Sequence, residues 1–270
     1  MSRPIVALSG AATDAGLRRS LNEDSFLSVP PVFLVADGMG GHDRGEVASA
    51  TAIAEFAPFA GRDSLTIDDV REALHRARIR VDGLSGGSQA GAGTTLTGVV
   101  VADVAGEGYW LALNLGDSRT YRLAAGHLEQ ISVDHSVVQE LLDRGELSPE
   151  DASRDRRRNV ITRALGAGSD GDADYWMIPA SAGDRILVCS DGLPSELSAD
   201  RIRDILSVEG HPQAAATRLV HEAVLHGGRD NITAIVVDAV SVSRRGAVTA
   251  DDDPGIDSDT LPREPVGGMR

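Results

Sequence analysis

The chain contains no lysine, and all 26 of its basic residues are arginine. A nucleotide-binding phosphate loop, a protein-kinase active site and Schiff-base chemistry each depend on a lysine side chain. The absence of lysine therefore excludes these three kinds of site.

Cysteine is almost absent too, because Cys189 is the single one in 270 residues and no internal disulfide can form. A cysteine-based phosphatase needs an arginine six residues after its nucleophile, and Ser195 stands at that position. We therefore interpret Cys189 as a buried strand residue, which is the usual environment of a free cysteine.

Long apolar runs are also missing, and none approaches the roughly 18 residues that span a membrane. The apolar run 5–12 is too short for a secretory signal and has no cleavage region after it. The net charge of −15 disfavours binding to nucleic acid and to anionic membranes. These features predict a cytoplasmic protein with no nucleic-acid or membrane partner.

The order of apolar patterns predicts strands in runs, then helices, then strands again. We expect strands at 5–12, 25–29, 32–36, 94–103, 109–115, 120–123, 128–131, 175–178, 185–189 and 232–240, and helices at 44–60, 67–84, 135–143, 199–208 and 212–226. The connections between the first three strands are too short for a crossover helix, so we expect those strands to be antiparallel neighbours. The pattern predicts an α+β fold with antiparallel sheets.

The stretch from Val32 to His42 combines a buried strand with an unusual turn. Its apolar, β-branched residues end at Asp37, and three glycines follow within the next four residues. Glycines permit a very close approach of backbone or ligand. A carboxylate at the end of a buried strand is costly unless a charge such as a divalent metal ion compensates it.

Carboxylates recur next to glycine or in tight turns near the ends of other predicted elements. The pairs are Asp37-Gly38, Gly116-Asp117, Asp191-Gly192 and Asp230-Asn231, and Glu23 lies in the first polar turn. Each pair alone is also an ordinary turn signal. If the acids converge, an all-oxygen site for Mg²⁺ or Mn²⁺ would neutralise their repulsion. Spacing alone leaves both interpretations open.

Eight stretches of the chain, in order, resemble the metal-dependent serine/threonine protein phosphatases of the protein phosphatase 2C (PPM) type, especially its bacterial branch. They are GLRRSLNEDS (16–25), VADGMGGHDRGEVAS (35–49), GAGTTLTGVV (91–100), NLGDSR (114–119), DHSVVQEL (134–141), RRNVITRALG (157–166), LVCSDGL (187–193) and GGRDNITAIVV (227–237). The resemblance implies two packed antiparallel sheets flanked by pairs of helices, an α-β-β-α sandwich. We expect a catalytic domain over 1–242 and a disordered acidic tail over 243–270.

The resemblance also implies an activity. Members of the family hydrolyse phosphoserine and phosphothreonine with a metal-bridging hydroxide, using two core Mn²⁺ or Mg²⁺ ions and, in bacterial relatives, a third. The implied partners are phosphorylated proteins, including serine/threonine kinases, and we expect a monomer. The alternative is a pseudophosphatase or partner-switching binding module. Retention of Asp37, Asp191 and Asp230 favours an active enzyme.

The resemblance assigns roles to individual residues. Asp37 matches the acid that bridges the two core metals, and the Gly38 carbonyl matches a backbone ligand. Asp191 and Asp230 match the other direct ligands of one metal. The remaining assignments are Glu23 supporting the other metal, Asp117 joining Asp191 at the third site, and Arg19 holding the substrate phosphate, with Arg18 as its competitor.

Two regions depart from the family pattern or vary within it. Met39 stands where animal relatives have a histidine proposed as general acid, and His42 is the nearest histidine. Residues 144–159 match a variable flap linked to substrate choice. Its arginines could attract a phosphopeptide or could be an ordinary solvated face; they are Arg154, Arg156, Arg157 and Arg158.

Overall fold

The computed structural model describes residues 3–40, 44–84, 91–152, 155–157, 160–166, 168 and 171–244. His42, Arg154, Arg158 and the tail from residue 245 onward lie outside the described residues. Strands are labelled β1 to β12 and helices α1 to α7 in chain order. Among the helices that the structure describes, none is long and apolar enough to cross a membrane.

One sheet has five antiparallel strands in the order β1-β12-β11-β7-β8. Its strand β12, which lies between β1 and β11, is apolar on both faces because the other sheet and the helices cover it from opposite sides. The strands are β1 (Ile5–Asp14), β7 (Arg119–Ala124), β8 (His127–Gln130), β11 (Arg185–Cys189) and β12 (Ile232–Val242).

The other sheet has seven antiparallel strands, in the order β10-β6-β5-β3-β4-β9, with β2 paired to β3 off this path. Thr95 separates β4 from β5. Strand β3 therefore pairs with β5 over its first half and with β4 at its end. The strands are β2 (Asp24–Val29), β3 (Val32–Met39), β4 (Gly93–Thr94), β5 (Leu96–Val104), β6 (Glu107–Leu115), β9 (Leu165–Gly166) and β10 (Asp174–Pro179).

Helices cover the outer faces of both sheets. Two helices, α1 (Arg44–Ala54) and α2 (Ile67–Leu84), pack on the seven-stranded sheet. The five-stranded sheet is covered by α5 (Gly192–Glu196), α6 (Ala199–Val208) and α7 (Pro212–His226). Two short helices lie between them in the chain, α3 (Val137–Asp143) and α4 (Pro149–Ala152).

Three apolar clusters hold the layers together. Two of them lie between a sheet and the helices that cover it, one for each sheet, and the third lies between the two sheets. Phe33 and Trp110 of one sheet pack in that central layer with Ile186 and Ile235 of the other. Burial of these large side chains is the main favourable term for joining the sheets. The predicted α+β sandwich of two antiparallel sheets between helices is confirmed.

The predicted pairing of the first three strands is partly wrong. Strands β2 and β3 pair as expected, but β1 pairs with β12 in the opposite sheet. The short segment 15–23 therefore crosses between the sheets instead of forming a hairpin. The predicted helix 44–60 is also shorter, since α1 ends at Ala54 and a 3₁₀ turn, Ala57–Phe59, follows.

Candidate active site

The end of β3 is anchored where its neighbour changes from β5 to β4. The Asp37 backbone N–H donates to the Thr95 hydroxyl at 2.9 Å, and the Thr95 N–H donates to the Asp37 carbonyl at 2.9 Å. The Thr94 hydroxyl donates to the same carbonyl at 3.0 Å. These three bonds fix the Asp37 backbone at the point where regular pairing is interrupted.

Two glycines allow α1 to lie directly against the end of β3. A Cβ at Gly38 would overlap the Gly45 carbonyl, and a Cβ at Gly45 would overlap the Glu23 carboxylate. The Gly38 N–H donates to the Glu23 carbonyl at 3.2 Å. Glycine at both positions is therefore needed to bring the Glu23 carboxylate against the first turn of α1 and beside the Gly38 backbone.

Asp24 pairs with Asp37 across β2 and β3, and it joins the site from the neighbouring strand. Its Oδ2 accepts hydrogen bonds from the hydroxyl of Ser190, just after β11, at 2.8 Å and from that of Thr233, in β12, at 2.7 Å. Burial, reinforced by the charges of Asp191 and Asp230, raises the pKa of Asp24 to about 7. This acid therefore links the two sheets underneath the candidate site.

Two further carboxylates come from turns that follow strands. Asp191 follows β11 and precedes α5, and burial together with the charge of Asp230 raises its pKa to about 6. Asp117 follows β6 and is only 6% exposed. Burial, followed by the charges of Asp191 and Asp134, raises the pKa of Asp117 to about 8. Both groups therefore keep their proton to a higher pH than an ordinary carboxyl does, and Asp117 stays largely protonated at neutral pH.

Asp37 is where these acids converge. Burial raises the pKa of Asp37 well above its usual value, and the charges of Asp24, Asp191, Asp117 and Asp230 raise it further. The Asp37 carboxyl group in turn partly offsets the rise in the pKa of Asp191. The four acids that the sequence places next to glycine or in tight turns are therefore close enough to repel one another.

Arg19 binds Asp230 through a two-pronged contact. Its Nη2 lies 2.8 Å from Asp230 Oδ2, and its Nε lies 2.8 Å from Oδ1. The hydrogen bond to Asp230 is the main reason that the pKa of Arg19 is raised. Half of the Arg19 side chain is exposed, so it lies at the rim of the acid cluster. Arg19, predicted to hold phosphate, and Asp230, predicted to hold metal, thus hold each other.

A network of hydrogen bonds from Asn231 positions the turn that contains Arg19 and Glu23. The Asn231 side-chain oxygen accepts from the Glu23 N–H at 2.9 Å, and its amide nitrogen donates to the carbonyls of Ala15 and Leu21 at 3.1 and 2.9 Å. The turn between the sheets is therefore fastened to the loop that carries Asp230.

An ion pair joins the loop that carries Asp230 to α5. The Glu196 carboxylate is 2% exposed and accepts hydrogen bonds from the Arg229 N–H at 3.0 Å and from its guanidinium Nε at 2.8 Å. Because Asp191 immediately precedes α5 and Asp230 immediately follows Arg229, this ion pair links the two segments that carry these acids.

His135 supports the turn that carries Asp117. Its Nδ1 accepts from the Gly116 N–H at 3.2 Å, and its own backbone N–H donates to the Gly116 carbonyl at 2.8 Å. The other ring nitrogen lies 3.1 Å from Asp174 Oδ2. Burial lowers the pKa of His135, which favours the neutral ring that can accept from Gly116.

The donor atoms fit a divalent cation. In the part of the chain that the structure describes, no three or more Asp, Glu, His or Cys side chains are already arranged to enclose a metal ion. However, Asp24 Oδ1 and Asp117 Oδ1 are buried without a hydrogen-bond partner. Clustered carboxylate oxygens are the ligands that Mg²⁺ and Mn²⁺ prefer. An ion that binds among these acids must displace the protons that their raised pKa values retain.

A family model described as protein phosphatase 2C matches residues 18–221. The chain belongs to the protein phosphatase 2C family. It is 38% identical over 94% of its length to the serine/threonine protein phosphatase PstP of Mycobacterium tuberculosis, and the match covers 50% of that protein. The chain thus spans about half the length of this curated relative.

Two further matches cover nearly the whole length of the chain that is compared. The serine/threonine phosphatase stp of Listeria welshimeri is 34% identical over 84% of this chain and 93% of its own. A crystal structure of the PstP catalytic domain in complex with two manganese ions superposes with a TM-score of 0.78. That structure is 34% identical and covers 88% of this chain and 100% of its own. The resemblance stated from the sequence is confirmed.

The structure brings most of the predicted site residues into one region. Asp37, Asp117, Asp191 and Asp230 interact electrostatically, and Arg19 and Glu23 lie on the adjoining turn. Their roles as ligands remain predictions. The sequence interpretation did not single out Asp24, Asn231, His135 or Glu196 as supporting residues. Only Asp24 had a signal in the sequence. Two residues join its strand to that of Asp37, and such a short connection fixes the register that places the two acids opposite each other.

Proposed function

We propose that this chain hydrolyses phosphoserine and phosphothreonine in proteins with the help of divalent metal ions. The observation that carries the proposal is the group of four mutually repelling carboxylates, one buried and three half-buried, gathered near strand ends in a protein phosphatase 2C fold. Such a group costs free energy in a folded protein unless it binds cations. Stability alone gives no reason to retain it.

The four aspartates and Gly38 would hold the ions. Asp37 is central among the acids and would be shared by two of the ions. Asp191 and Asp230 would help to hold one of these ions, and the Gly38 carbonyl and Glu23 would help to hold the other. Asp117 and Asp191 would share a third ion. Bound metal lowers the pKa of a coordinated water and neutralises charge on a phosphoryl group. The two manganese ions in the PstP catalytic domain support Mn²⁺ as the ion.

Arg19 would hold the substrate phosphate. A guanidinium grips a phosphate with the same two parallel hydrogen bonds that Arg19 now makes to the Asp230 carboxylate. If Asp230 held a cation instead, the Arg19 guanidinium would be free to bind a phosphate at the rim. Met39 is half-buried at the end of β3 and has no proton to donate, so it cannot act as a general acid.

The alternative function is a binding module that keeps the fold without catalysis. Both functions permit metal binding, but only the enzyme turns over a phosphopeptide. The retained acids favour the enzyme. Kinases as substrates, the monomeric state, the cytoplasmic location and the domain limits at residue 242 stay predictions.

The test is release of phosphate from a phosphothreonine peptide with Mn²⁺, with Mg²⁺ and with EDTA. We expect turnover with either metal, none with EDTA, and a loss of at least about a hundredfold in Asp191→Asn, because one ligand charge is removed. Asp200→Asn is the matched control, since Asp200 is an 81% exposed acid on α6. Turnover that survives EDTA and Asp191→Asn would contradict the metal mechanism. Metal binding without turnover would favour the binding module.

A further inference from the structure

A chain of hydrogen bonds runs from a partly exposed acid to the turn that carries Asp117. The Asp174 side chain is 42% exposed, and its Oδ2 lies 3.1 Å from Nε2 of His135, whose side chain is only 4% exposed. The other ring nitrogen, Nδ1, accepts from the Gly116 N–H at 3.2 Å. One buried imidazole ring therefore joins an acid at the start of β10 to the backbone directly before Asp117.

His135 holds the Gly116 backbone on both sides. Its ring accepts from the Gly116 N–H, and its own backbone N–H donates to the Gly116 carbonyl at 2.8 Å. The Asn114 amide donates to the same carbonyl at 3.0 Å. Gly116 has a φ of +114°, and a Cβ there would overlap the Thr95 side chain, so this position needs glycine. The turn is therefore shaped by its neighbours and by His135 above all.

On its far side, the turn is connected to the backbone of Asp37. The Ser118 hydroxyl lies 2.8 Å from the Thr95 hydroxyl, which accepts from the Asp37 N–H at 2.9 Å. Asp117 lies between these two attachments, and its Oδ1 is buried without a hydrogen-bond partner. Because this oxygen has no partner of its own, its placement depends on the backbone of the turn.

The hydrogen bond from Gly116 decides which ring nitrogen of His135 carries the proton. A nitrogen that accepts from an N–H has no proton, so the proton of the neutral ring sits on Nε2 and is donated to Asp174. Arg163 Nη1 lies 3.3 Å from the other Asp174 oxygen and 3.4 Å from His135 Nε2. Without the carboxylate, this guanidinium would face Nε2. Because a guanidinium can only donate, it would favour the ring proton on Nδ1.

We propose that Asp174 is a positioning residue: it fixes the His135 tautomer that accepts from the Gly116 N–H, and thereby holds Asp117 in place to bind a cation. The inference rests on the proposed function, because it takes Asp117 as a metal ligand. It adds a residue outside the acid cluster that controls the affinity for metal. Loss of an outer partner of this kind commonly lowers the metal affinity of a site by about 10–100-fold.

The first experiment reads the tautomer of His135 in the metal-free protein from its nitrogen-15 NMR shifts. Asp174→Asn keeps the shape of the side chain and removes its charge. Its amide oxygen should turn to Arg163, which leaves the NH₂ group to donate to His135 Nε2. We expect the ring proton on Nε2 in the wild type and on Nδ1 in this variant. Asp172→Asn is the matched control and should keep the wild-type tautomer, because Asp172 is an exposed acid two residues before Asp174.

The second experiment is calorimetric titration with Mn²⁺. Asp117→Asn identifies the binding step that depends on Asp117, and Asp174→Asn should weaken that step about tenfold and leave the others within about twofold. In His135→Asn, the new amide oxygen can accept from the Gly116 N–H without help from Asp174. In that background Asp174→Asn should have no further effect, whereas a general electrostatic role of Asp174 would persist.

Three results would overturn the inference: a proton on Nδ1 in the wild type, an unchanged tautomer in Asp174→Asn, or the same loss of affinity from Asp174→Asn in the His135→Asn background. If Asp117→Asn removes no binding step, the role of Asp117 in the proposed function fails and this inference fails with it. The tautomer distinguishes the two kinds of failure, because it is measured without metal.

Discussion

Replacing Asp117 by asparagine should stabilise the metal-free protein at alkaline pH and have little effect at acid pH. Asp117 is 6% exposed, its Oδ1 has no hydrogen-bond partner, and its pKa is raised from 3.8 to about 8. Asparagine has nearly the same shape and cannot ionise. The substitution therefore removes the charge and leaves the packing in place.

The sign follows from the direction of the pKa shift. The pKa of Asp117 is higher in the folded than in the unfolded protein, so the folded state binds this proton more tightly. The contribution to stability is complete below pH 4 and is lost as pH rises through about 8. One pKa unit corresponds to about 1.4 kcal/mol, so the shift of about four units sets an upper limit of about 6 kcal/mol. We expect about 3 kcal/mol, because Asp191 and Asp134 can relax around the charge.

The assay is urea unfolding of wild type and Asp117→Asn in EDTA, at several pH values between 4.5 and 8.5. The difference in free energy of unfolding should grow with pH in favour of the variant. Above neutral pH, excess Mn²⁺ should make the wild type more stable than the variant, since the wild type gains more free energy from binding the ion. A difference that does not change with pH would refute the assignment of Asp117 as a strained buried acid.

Three other substitutions test the supporting residues. Arg19→Ala should lower kcat/KM for a phosphopeptide by about 10–100-fold, because a bidentate contact to the phosphate is lost. The same variant should bind Mn²⁺ more tightly in calorimetry, because Arg19 no longer competes with the ion for Asp230. His135→Ala should destabilise the fold by about 1–3 kcal/mol, whereas His135→Asn should recover much of this by accepting from the Gly116 N–H. Glu196→Gln should weaken Mn²⁺ binding several-fold but cost only about 1 kcal/mol in unfolding free energy, because its partner Arg229 is 59% exposed.

Elements with strong periodicity could be predicted from the sequence almost to the residue. Helices α6 and α7 begin and end where predicted, because their apolar spacing is regular and Pro212 marks the first turn of α7. Helix α5 was missed since five residues beginning with glycine show no period. The pairing of β1 with β12 was missed because strands more than 200 residues apart leave no local signal.

In the site, too, features of the local sequence could be predicted, whereas contacts between residues far apart in the chain could not. Asp37, Asp117, Asp191 and Asp230 are visible in the sequence as acids beside glycine or in tight turns, and the resemblance put these four in one site. The contact of Arg19 with Asp230 joins residues 211 positions apart, and so depends on the crossing of segment 15–23 between sheets. The hydrogen bonds from Asn231 that hold this crossing in place could not be predicted from spacing.

The most direct test of the central claim is calorimetric titration of the protein with Mn²⁺ in buffers of different ionisation enthalpy near pH 6.5. If the buried acids are the metal ligands, binding must displace the protons that their raised pKa values retain. We predict release of about one proton or more for each protein saturated, and much weaker binding in Asp37→Asn. Binding that releases no protons and is unchanged in Asp37→Asn would contradict the account.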